Sequence, residues 1–280
     1  MRRWSFVKGH GTENDFVLLL DSDHRLPLGA AEVRWICDRH RGIGADGVLR
    51  VVRAEHVEDW AGDPDLWFMD YRNADGSVAE MCGNGVRVFT RYLLEDGLVS
   101  GPTVPIATRA GLKEAAVLPD GRVRAAMGPA TVGAADVTVR PYGGLEQTAV
   151  RVEVGNPHAV SFLDDLAELD LHTAPGWAPA GAFPAGVNLE FVRRVAPRHL
   201  AMRVYERGVG ETRSCGTGTV AVAAAAEATQ PSGSGAVRYR VDVPGGTVEV
   251  ELNGDQTYLT GPAVLVARGE LIIPMELDGD

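Results

Sequence analysis

Two short stretches of the sequence share an arrangement that could carry out proton chemistry. "MCGNGVRVF" places Cys82 before Gly-Asn-Gly and an apolar run, and "SCGTGTVAV" places Cys215 before Gly-Thr-Gly and a second apolar run. The glycines leave backbone N–H groups uncovered, and a helix that starts there points the positive end of its dipole at the sulfur. Such surroundings favour a thiolate and also attract carboxylates. The repeated motif therefore predicts two equivalent reactive thiols.

Two equivalent thiols allow more than one chemistry. They could form a disulfide, or one sulfur could remove a proton from a carbon while the other donates a proton to its opposite side. In the second case the N–H groups beside both sulfurs would hold a carboxylate on that carbon and stabilise the negative charge that develops there. Such a site would invert a stereocentre. The third cysteine, Cys37, lies on an apolar helical stripe and is predicted to be structural.

Other polar residues gather near the ends of predicted strands. They are Asn14, Asn73, Asn156, Asn188, Glu206 and Arg207. Any single asparagine is typical of a turn, whereas an arginine can bind a carboxylate through two parallel hydrogen bonds. Four amides with a Glu-Arg pair suit an amino acid zwitterion. Residues 42–47, "GIGADG", match the dinucleotide fingerprint, but a helix precedes them and a strand follows, which is the wrong context for that site.

The two halves of the chain show the same pattern of predicted strands and helices. Apolar or alternating runs predict strands at 4–7, 16–20, 48–53 and 66–71, and again at 149–154, 159–163, 187–192 and 201–205. Helical stripes are expected at residues 33–40 and 86–93, the second ending at Gly97. Residues 219–228 are apolar on all sides and predict a fully buried helix. Each half thus has many strands and one buried helix that begins at a Cys-Gly-X-Gly turn.

These elements predict an α/β (α+β) fold of two similar domains related by pseudo-twofold symmetry. Each domain would wrap a mixed or antiparallel sheet around its central helix, with the active site in the cleft between the domains. At 280 residues the chain is longer than most single domains. We expect one domain at 1–120, joined by a last strand at about 264–280, and the other at 121–263. Residues 173–186, rich in Pro and Gly, are predicted to form a surface loop.

Composition excludes several classes of protein. The formal charge of -11 and the absence of a Lys/Arg cluster argue against nucleic-acid binding. The longest apolar stretch, 220–226, is too short to span a bilayer, and the first residues lack the apolar core of a signal peptide. Three cysteines without a CxxC spacing indicate neither a disulfide framework nor a metal site. We therefore expect a cytoplasmic protein without metal or membrane.

Six motifs occur in an order that resembles the diaminopimelate epimerase family. They are "GHGTENDF", "GIGADGVL", "NADGSVAEMCGNGVR", "GNPHAV", "GVNLEFV" and "VYERGVGETRSCGTGT". The resemblance implies a cofactor-independent, homodimeric enzyme that interconverts LL- and meso-2,6-diaminopimelate for lysine and peptidoglycan precursors. It also implies a fold of two similar domains with sheet around a central helix. The small-molecule substrate would be diaminopimelate.

The same resemblance assigns roles to the candidate residues. Cys82 and Cys215 match the two acid/base cysteines, and the matching motifs do not say which of them acts on which stereoisomer. The backbone of Gly83-Asn84 and of Gly216-Thr217 would hold the carboxylate at the reacting carbon. The remaining matches are Asn14 and Glu206 near the reacting amino group, Asn73, Asn156, Asn188 and Arg207 at the distal centre, and His158, which could equally be a hydrogen-bonded core residue.

The sequence departs from the family pattern at three places. Glu13 stands where many members have a small residue, Gly47 where some have a glutamine, and Arg213-Ser214 precede the second cysteine in place of less polar residues. None of these replaces a named catalytic group. We expect them to affect rate and local packing rather than the type of reaction.

Two alternatives remain open from the residues. A racemase or epimerase of the proline or hydroxyproline type also uses paired cysteines, but that group tends to have histidine after its first Cys-Gly, where this chain has Asn84. A proline ring would also leave Arg207 without a distal carboxylate. The non-enzymatic alternative is a thiol redox switch or an amino-acid-binding protein, which would bind diaminopimelate without exchanging its proton.

Overall fold

The computed structural model describes residues 1–231 and 235–277, and strands dominate this part of the chain. The strands are β1 (Arg2–Gly11), β2 (Asn14–Leu20), β3 (Gly47–Arg53), β4 (Trp67–Asn73), β5 (Thr103–Thr108), β6 (Gly111–Val117), β7 (Val123–Gly128), β8 (Thr131–Val132), β9 (Val137–Arg140), β10 (Gln147–Glu153), β11 (Pro157–Phe162), β12 (Gly176–Ala178), β13 (Asn188–Ala196), β14 (His199–Glu206), β15 (Gly210–Thr212), β16 (Val237–Val243), β17 (Gly246–Asn253), β18 (Gln256–Gly261) and β19 (Val264–Ile273). The helices are α1 (Ala30–Cys37), α2 (Gly83–Glu95) and α3 (Gly216–Thr229), with 3-10 turns at Ala54–His56 and Ala180–Ala182.

The chain divides into two compact units. The first unit comprises Met1–Ala125 and the chain from Pro262 onwards, and the second unit is Ala126–Gly261. Strand β19 pairs antiparallel with β1 and so belongs to the sheet of the first unit. Of the stretch expected to form the last strand, residues 278–280 lie outside the described residues. Across 1–231 and 235–277, no helix is long and apolar enough to cross a membrane.

In the first unit, a sheet in the order β19-β1-β2-β3-β4-β5-β6-β7 wraps around helix α2. The predicted apolar stripe is confirmed, because Val86, Phe89 and Leu93 are all buried against the strands. The helix ends at Glu95, and Gly97 follows with a φ of 66°, a left-handed conformation that glycine adopts without strain. The buried stripe thus packs the helix against its sheet, and Gly97 lets the chain turn away after the helix ends.

Helix α1 covers a second apolar cluster of the same unit. Val33, Ile36 and Cys37 are buried in this cluster, as the stripe predicted. His40, expected on the same stripe, lies beyond the end of the helix and is exposed. The reason is local, since the Asp38 side chain accepts hydrogen bonds from the backbone N–H groups of His40 and Arg41 and turns the chain away.

The second unit surrounds helix α3 with strands in the order β12-β9-β10-β11-β13-β14-β16-β17-β18. Residues Gly216 to Ala226 of α3 are all buried, which confirms the buried helix except at Glu227 and Ala228, the end of the predicted stretch. The surface loop predicted at 173–186 is wrong in part. Strand β12 within it pairs with β9, and Phe183 packs into the core of this unit because its ring is more stable there than in water.

The two units repeat one pattern of strand directions. Read across each sheet, the successive pairings are antiparallel, antiparallel, parallel, antiparallel, parallel, antiparallel and antiparallel, from β19 to β7 in the first unit and from β9 to β18 in the second. Helix α2 follows β4, and α3 follows its counterpart β14 after the short β15. The two motifs that begin with Cys82 and Cys215 therefore occupy equivalent places in the two units.

Candidate active site

Each of the two cysteines is the N-cap of a central helix. The Sγ of Cys82 accepts a hydrogen bond from the Gly85 N–H at 3.4 Å, and the Sγ of Cys215 accepts one from the Gly218 N–H at 3.3 Å. The first N–H groups of a helix have no partner inside the helix and carry its positive dipole end. Both sulfurs are thus placed where negative charge is stabilised, as the sequence predicted for the two turns.

Asn14 and Asn84 join Cys82 in a hydrogen-bonded network. The Oδ1 of Asn14 accepts from the Asn84 Nδ2 at 3.2 Å and from the Cys82 thiol at 3.6 Å. The Nδ2 of Asn14 donates to Asp46 at 2.7 Å. An ionised carboxylate can only accept hydrogen bonds, so Asp46 must face the NH₂ group of the Asn14 amide. The oxygen of that amide is therefore directed toward the Cys82 sulfur. The structure thus brings three predicted residues together and adds Asp46.

A two-residue turn between β1 and β2 holds this network in place. Gly11 pairs with Asn14, and Thr12 and Glu13 between them have φ values of 54° and 59°. Positive φ at both central residues matches the twist of a two-residue hairpin but strains any side chain other than glycine. The departure at Glu13 therefore sits at a strained position, where its backbone N–H donates to the ring of His10.

Arg87, one turn into α2, is a fully buried cation behind Cys82. Its Nη2 donates to the Thr12 hydroxyl at 2.9 Å and to the Oδ1 of Asn84. Within the described residues its Nε and Nη1 have no hydrogen-bond partner. Burial lowers the pKa of Arg87 to about 10, and the neighbouring Cys82 acts in the opposite direction. The guanidinium remains charged at neutral pH.

Asn73 lies apart from this network, at the end of β4. Its Nδ2 donates to Ser77 at 3.0 Å, and it pairs across the sheet with Gly47. A side chain at position 47 would place its Cβ 2.5 Å from the Arg72 carbonyl oxygen. The backbone here is thus fitted to glycine, which accounts for the departure at Gly47 in structural terms.

Cys215, at the equivalent place in the second unit, is buried among acidic groups. Its pKa is raised well above the ordinary value, first by burial and then by the negative charges of Glu206 and Glu190. The Thr217 hydroxyl, 3.5 Å from Sγ, and the Gly218 N–H act in the opposite direction. Cys215 is therefore a thiol at neutral pH in this structure.

His158 is fully buried and bonded through both ring nitrogens. Its Nδ1 lies 2.6 Å from the Glu190 Oε1, and its Nε2 lies 2.9 Å from the Asn156 Oδ1. Because the amide oxygen can only accept, the ring donates from Nε2 to Asn156, and Nδ1 faces the Glu190 carboxylate. His158 thus fixes the orientation of Asn156 from inside the core, and it has no exposed surface of its own.

The remaining predicted residues gather at the ends of β13 and β14. The Oδ1 of Asn188 accepts from the Arg207 backbone N–H at 3.0 Å, and its Nδ2 donates to the Pro157 carbonyl at 3.2 Å. The Thr212 hydroxyl donates to the Glu206 carboxylate, whose charge also acts on Cys215. Arg207 reaches the Ala185 carbonyl through Nη1. These contacts hold Asn188, Glu206 and Arg207 in place, and the charge of Glu206 links this group to the second cysteine.

Sequence reasoning did not single out three charged residues of these networks. Asp46, Arg87 and Glu190 lie inside motifs that the sequence analysis quoted. A signal was present for two of them, since Arg87 interrupts the apolar run of α2 and Glu190 interrupts that of β13. A charge on a buried element requires a compensating partner, which for Glu190 is His158.

Comparison with solved structures defines the class of fold. The chain matches a PhzF-family phenazine biosynthesis protein of Bacillus anthracis with a TM-score of 0.75 at 17% identity, over 98% of this chain and 100% of that one. It matches a hydroxyproline epimerase from Agrobacterium vitis with a TM-score of 0.69 at 18% identity, over 96% and 91% of the two chains. At these identities the match concerns the fold alone. The predicted fold class, two similar domains with few helices, is confirmed.

Within that class, the chain belongs to the diaminopimelate epimerase family. The family model described as "Diaminopimelate epimerase" matches residues 6–133 and 150–266. A diaminopimelate epimerase of Streptomyces coelicolor is 52% identical over 96% of this chain and 95% of its own length. One of Thermobifida fusca is 51% identical over 95% of this chain and 97% of its own length. The resemblance carried by the six motifs is confirmed.

Proposed function

We propose that the protein is an isomerase that epimerises LL-2,6-diaminopimelate to meso-diaminopimelate, a step toward lysine and peptidoglycan precursors. The observation that carries the proposal is the recurrence of a cysteine N-cap at equivalent places in two units of one strand pattern. A stereocentre has two sides, and two equivalent thiols supply one proton-transfer group for each. Family membership and the diaminopimelate epimerase relatives supply the substrate.

The proposed reaction uses two bases and no cofactor. One sulfur, as thiolate, removes the α-proton of the substrate, and the other, as thiol, protonates the same carbon from the opposite side. The carboxylate on that carbon takes up the negative charge while the bond to hydrogen is broken. Backbone N–H groups of the first turns, at Gly83-Asn84 and Gly216-Thr217, are suited to bind this carboxylate, because they carry the positive ends of two helix dipoles.

Side chains of the two networks would recognise the rest of the substrate. We assign Asn14 and Glu206 to the reacting amino group, since hydrogen bonds and charge link both to the cysteines. The distal centre is assigned to Asn73, Asn156, Asn188 and Arg207. The arginine can bind the second carboxylate, which proline lacks. His158 is assigned an indirect role, that of holding Asn156.

The setting of the enzyme is part of the same proposal. All three cysteines, Cys37, Cys82 and Cys215, are free, which suits a reducing cytoplasm. We propose that the protein acts there as a homodimer on a small-molecule substrate, without nucleic acid or membrane. Size-exclusion chromatography with light scattering measures the assembly directly.

Isotope exchange tests the proposed function. Purified, reduced protein incubated with LL-diaminopimelate in deuterated water is expected to place deuterium at one α-carbon and to form the meso isomer. The measurement is mass spectrometry of the recovered amino acid together with chiral separation. The Cys82→Ala, Cys215→Ala double variant is expected to lose exchange by at least about 10³-fold, since both proton-transfer groups are removed. Exchange that persists in the double variant would contradict the proposal.

A substrate panel separates the alternatives. L-Proline and trans-4-hydroxy-L-proline should show no exchange under conditions in which diaminopimelate exchanges. Exchange with either ring, and none with diaminopimelate, would favour the proline-type reaction. A binder or redox switch would retain diaminopimelate in equilibrium dialysis and exchange no proton, so dialysis beside the exchange assay decides that case.

A further inference from the structure

Asn14 and Asn156 occupy equivalent places in the two units. Each lies two residues before the first member of a parallel ladder, which is Phe16 in β2 and His158 in β11. The Nδ2 of Asn14 donates to Asp46 at 2.7 Å. The Oδ1 of Asn156, in contrast, accepts from the ring of His158 at 2.9 Å. The first amide is thus held by its NH₂ group and the second by its oxygen, so the two units hold equivalent amides in opposite orientations.

The orientation of the Asn156 amide decides which group it offers to a ligand. Its oxygen faces the ring of His158, and across residues 1–231 and 235–277 its Nδ2 has no hydrogen-bond partner. The side chain is half-buried, which leaves this NH₂ group accessible. An NH₂ group can donate to a carboxylate, whereas an amide held the other way would offer an oxygen and suit an ammonium group. Asn156 is thus held as a donor.

Glu190 holds the ring that bonds to Asn156. His158 and Glu190 are both fully buried, and the His158 Nδ1 lies 2.6 Å from the Glu190 Oε1. Within the described ranges the Oε2 of Glu190 has no partner, so the contact with the ring is the one hydrogen bond of this carboxylate there. The bond made by one ring nitrogen of a histidine sets the role of the other. Glu190 therefore determines that Nε2 faces the Asn156 amide.

The strand pattern does not require this buried pair. At the equivalent positions of the first unit, the ladder of β2 and β3 has Phe16 and Leu49 in place of His158 and Glu190, and both are fully buried. A buried ion pair is commonly no more stabilising than apolar side chains of similar volume. The first unit is thus an internal control, because the same pattern forms there with an apolar pair. The second unit differs in the hydrogen bond that its pair makes to Asn156.

We propose that Glu190, acting through His158, is a positioning residue that holds the NH₂ group of Asn156 toward the distal carboxylate of diaminopimelate. The inference rests on the proposed function, which assigns Asn156 to the distal centre. The group recognised is a carboxylate, and a substrate without a second carboxylate gains nothing from this donor. The buried pair thereby contributes to specificity for a dicarboxylic amino acid.

Transfer of the apolar pair into the second unit tests the proposal. The apolar variant, His158→Phe with Glu190→Leu, removes both partners together and leaves no buried charge unpaired. We expect it to fold by circular dichroism and to raise KM for LL-diaminopimelate roughly 10-fold or more, because the Asn156 amide is free to turn. In the matched control, Glu190→Gln, the new amide can still bond to Nδ1, and KM should stay within about 3-fold.

The control also separates orientation from charge. Both changes at position 190 remove a negative charge that acts on Cys215, so an effect of that loss on kcat is common to the two proteins. The apolar variant alone releases the Asn156 amide, and the difference in KM between the two proteins measures that release. A KM unchanged in the apolar variant, or raised equally by Glu190→Gln, would overturn the proposal.

An Asn156→Ala background shows whether the pair acts through the amide. The donor is absent from this protein, so adding His158→Phe and Glu190→Leu should raise KM by no more than about 2-fold further. A general disturbance of the site would instead add its full effect to that of Asn156→Ala. A further 10-fold rise in this background contradicts the assigned route.

Nitrogen NMR of protein with ¹⁵N-labelled histidine reads the orientation without substrate. The Nε2 of His158 is expected to carry a proton, and its signal should persist in Glu190→Gln. Its disappearance from the apolar variant assigns the signal, and His158→Gln assigns it if that variant fails to fold. An unprotonated Nε2 in the unsubstituted protein would require Asn156 to donate to the ring, and would refute the orientation on which the proposal stands.

The outcome is separable from that of the proposed function. NMR reads the ring in free protein, whereas deuterium exchange reads turnover of diaminopimelate. A protonated Nε2 in a protein without exchange would contradict the function and keep the orientation of Asn156. Exchange in a protein with an unprotonated Nε2 would do the reverse.

Discussion

At the scale of single residues, the second glycine of each Cys-Gly-X-Gly motif packs against a different kind of side chain. Gly218 leaves room for the carboxylate of Glu190, whereas a Cβ at Gly85 would lie 3.4 Å or more from its neighbours, a Leu49 methyl group and the Cys82 side chain. Both glycines have the same place in their helices and donate the same hydrogen bond to sulfur. Substitution at the two positions should therefore have unequal consequences.

We expect Gly218→Ala to destabilise the protein by roughly 1–3 kcal/mol, because the new methyl group overlaps the Glu190 carboxylate and crowds the sulfur. Exchange activity should fall with it, since the Cys215 thiol is displaced. Gly85→Ala is the matched control and should change stability by less than about 1 kcal/mol. Urea unfolding followed by circular dichroism checks both. A larger cost for Gly85→Ala than for Gly218→Ala would contradict this account.

The sequence was sufficient to predict that both cysteines lie at helix N-termini, but not which charged residues lie near them. A cysteine before Gly-X-Gly predicts a helix N-terminus from neighbouring residues alone. The proximity of Arg87 to Cys82 is also local, as both lie on the first turns of one helix. Glu190 reaches Cys215 from a strand 25 positions earlier in the chain, and only the register of the parallel ladder fixes which side chain arrives there.

At the scale of elements, helix α1 illustrates how a local polar side chain overrides an apolar stripe. The stripe predicted a helix as far as His40. The Asp38 side chain instead accepts hydrogen bonds from the backbone N–H groups of His40 and Arg41, and the helix ends at Cys37. Cys37 is thereby placed in the last turn, buried against Val33, Ile36 and the strands. Its thiol is inert at neutral pH because burial opposes its charged form.

The buried thiol of α1 predicts a loss of stability in alkali. Burial raises the pKa of Cys37 from 9.0 to about 12, so the folded protein keeps its proton where the unfolded chain loses it. The contribution of Cys37 to stability is complete below pH 9 and is lost as the pH rises toward about 12. Cys37→Ala should remove roughly 1–3 kcal/mol of that alkaline loss. Unfolding free energies of both proteins across this range check it, and parallel curves would contradict it.

At the scale of the whole molecule, the sequence predicted most of the strands but not the order in which they pair. Alternating and apolar runs predicted most strands, since their periodicity is local. The partners of each strand depend on contacts between distant segments, and the short strand β12 was hidden in a stretch rich in Pro and Gly. Strand β19 joins β1 across more than 250 residues of chain; its return to the first domain was expected, but its pairing with β1 could not be derived from the periodicity of either strand.

Removal of β19 should therefore act on one unit only. A chain that ends at Gly261 leaves β1 with only β2 as its partner and removes Leu271 and Ile273 from the cluster around Trp4. We expect backbone amides of the first unit to lose protection worth roughly 2–5 kcal/mol, while those of the second unit keep theirs. Hydrogen exchange with mass spectrometry resolves the two sets. A chain ending after Pro274 is the control, and equal loss in both units would contradict the expectation.

The return of β19 also orders the events of biosynthesis. When the ribosome has made the chain as far as Gly261, every strand of the second unit is present, whereas the sheet of the first unit still lacks its last member. Domains commonly fold as they emerge, the N-terminal one first. Here the later segment is complete first, so the residues around Cys82 reach their final surroundings only after those around Cys215. A nascent chain halted at Gly261 would contain all strands around Cys215, with its acidic neighbours, but would still lack β19 in the sheet around Cys82 and Arg87.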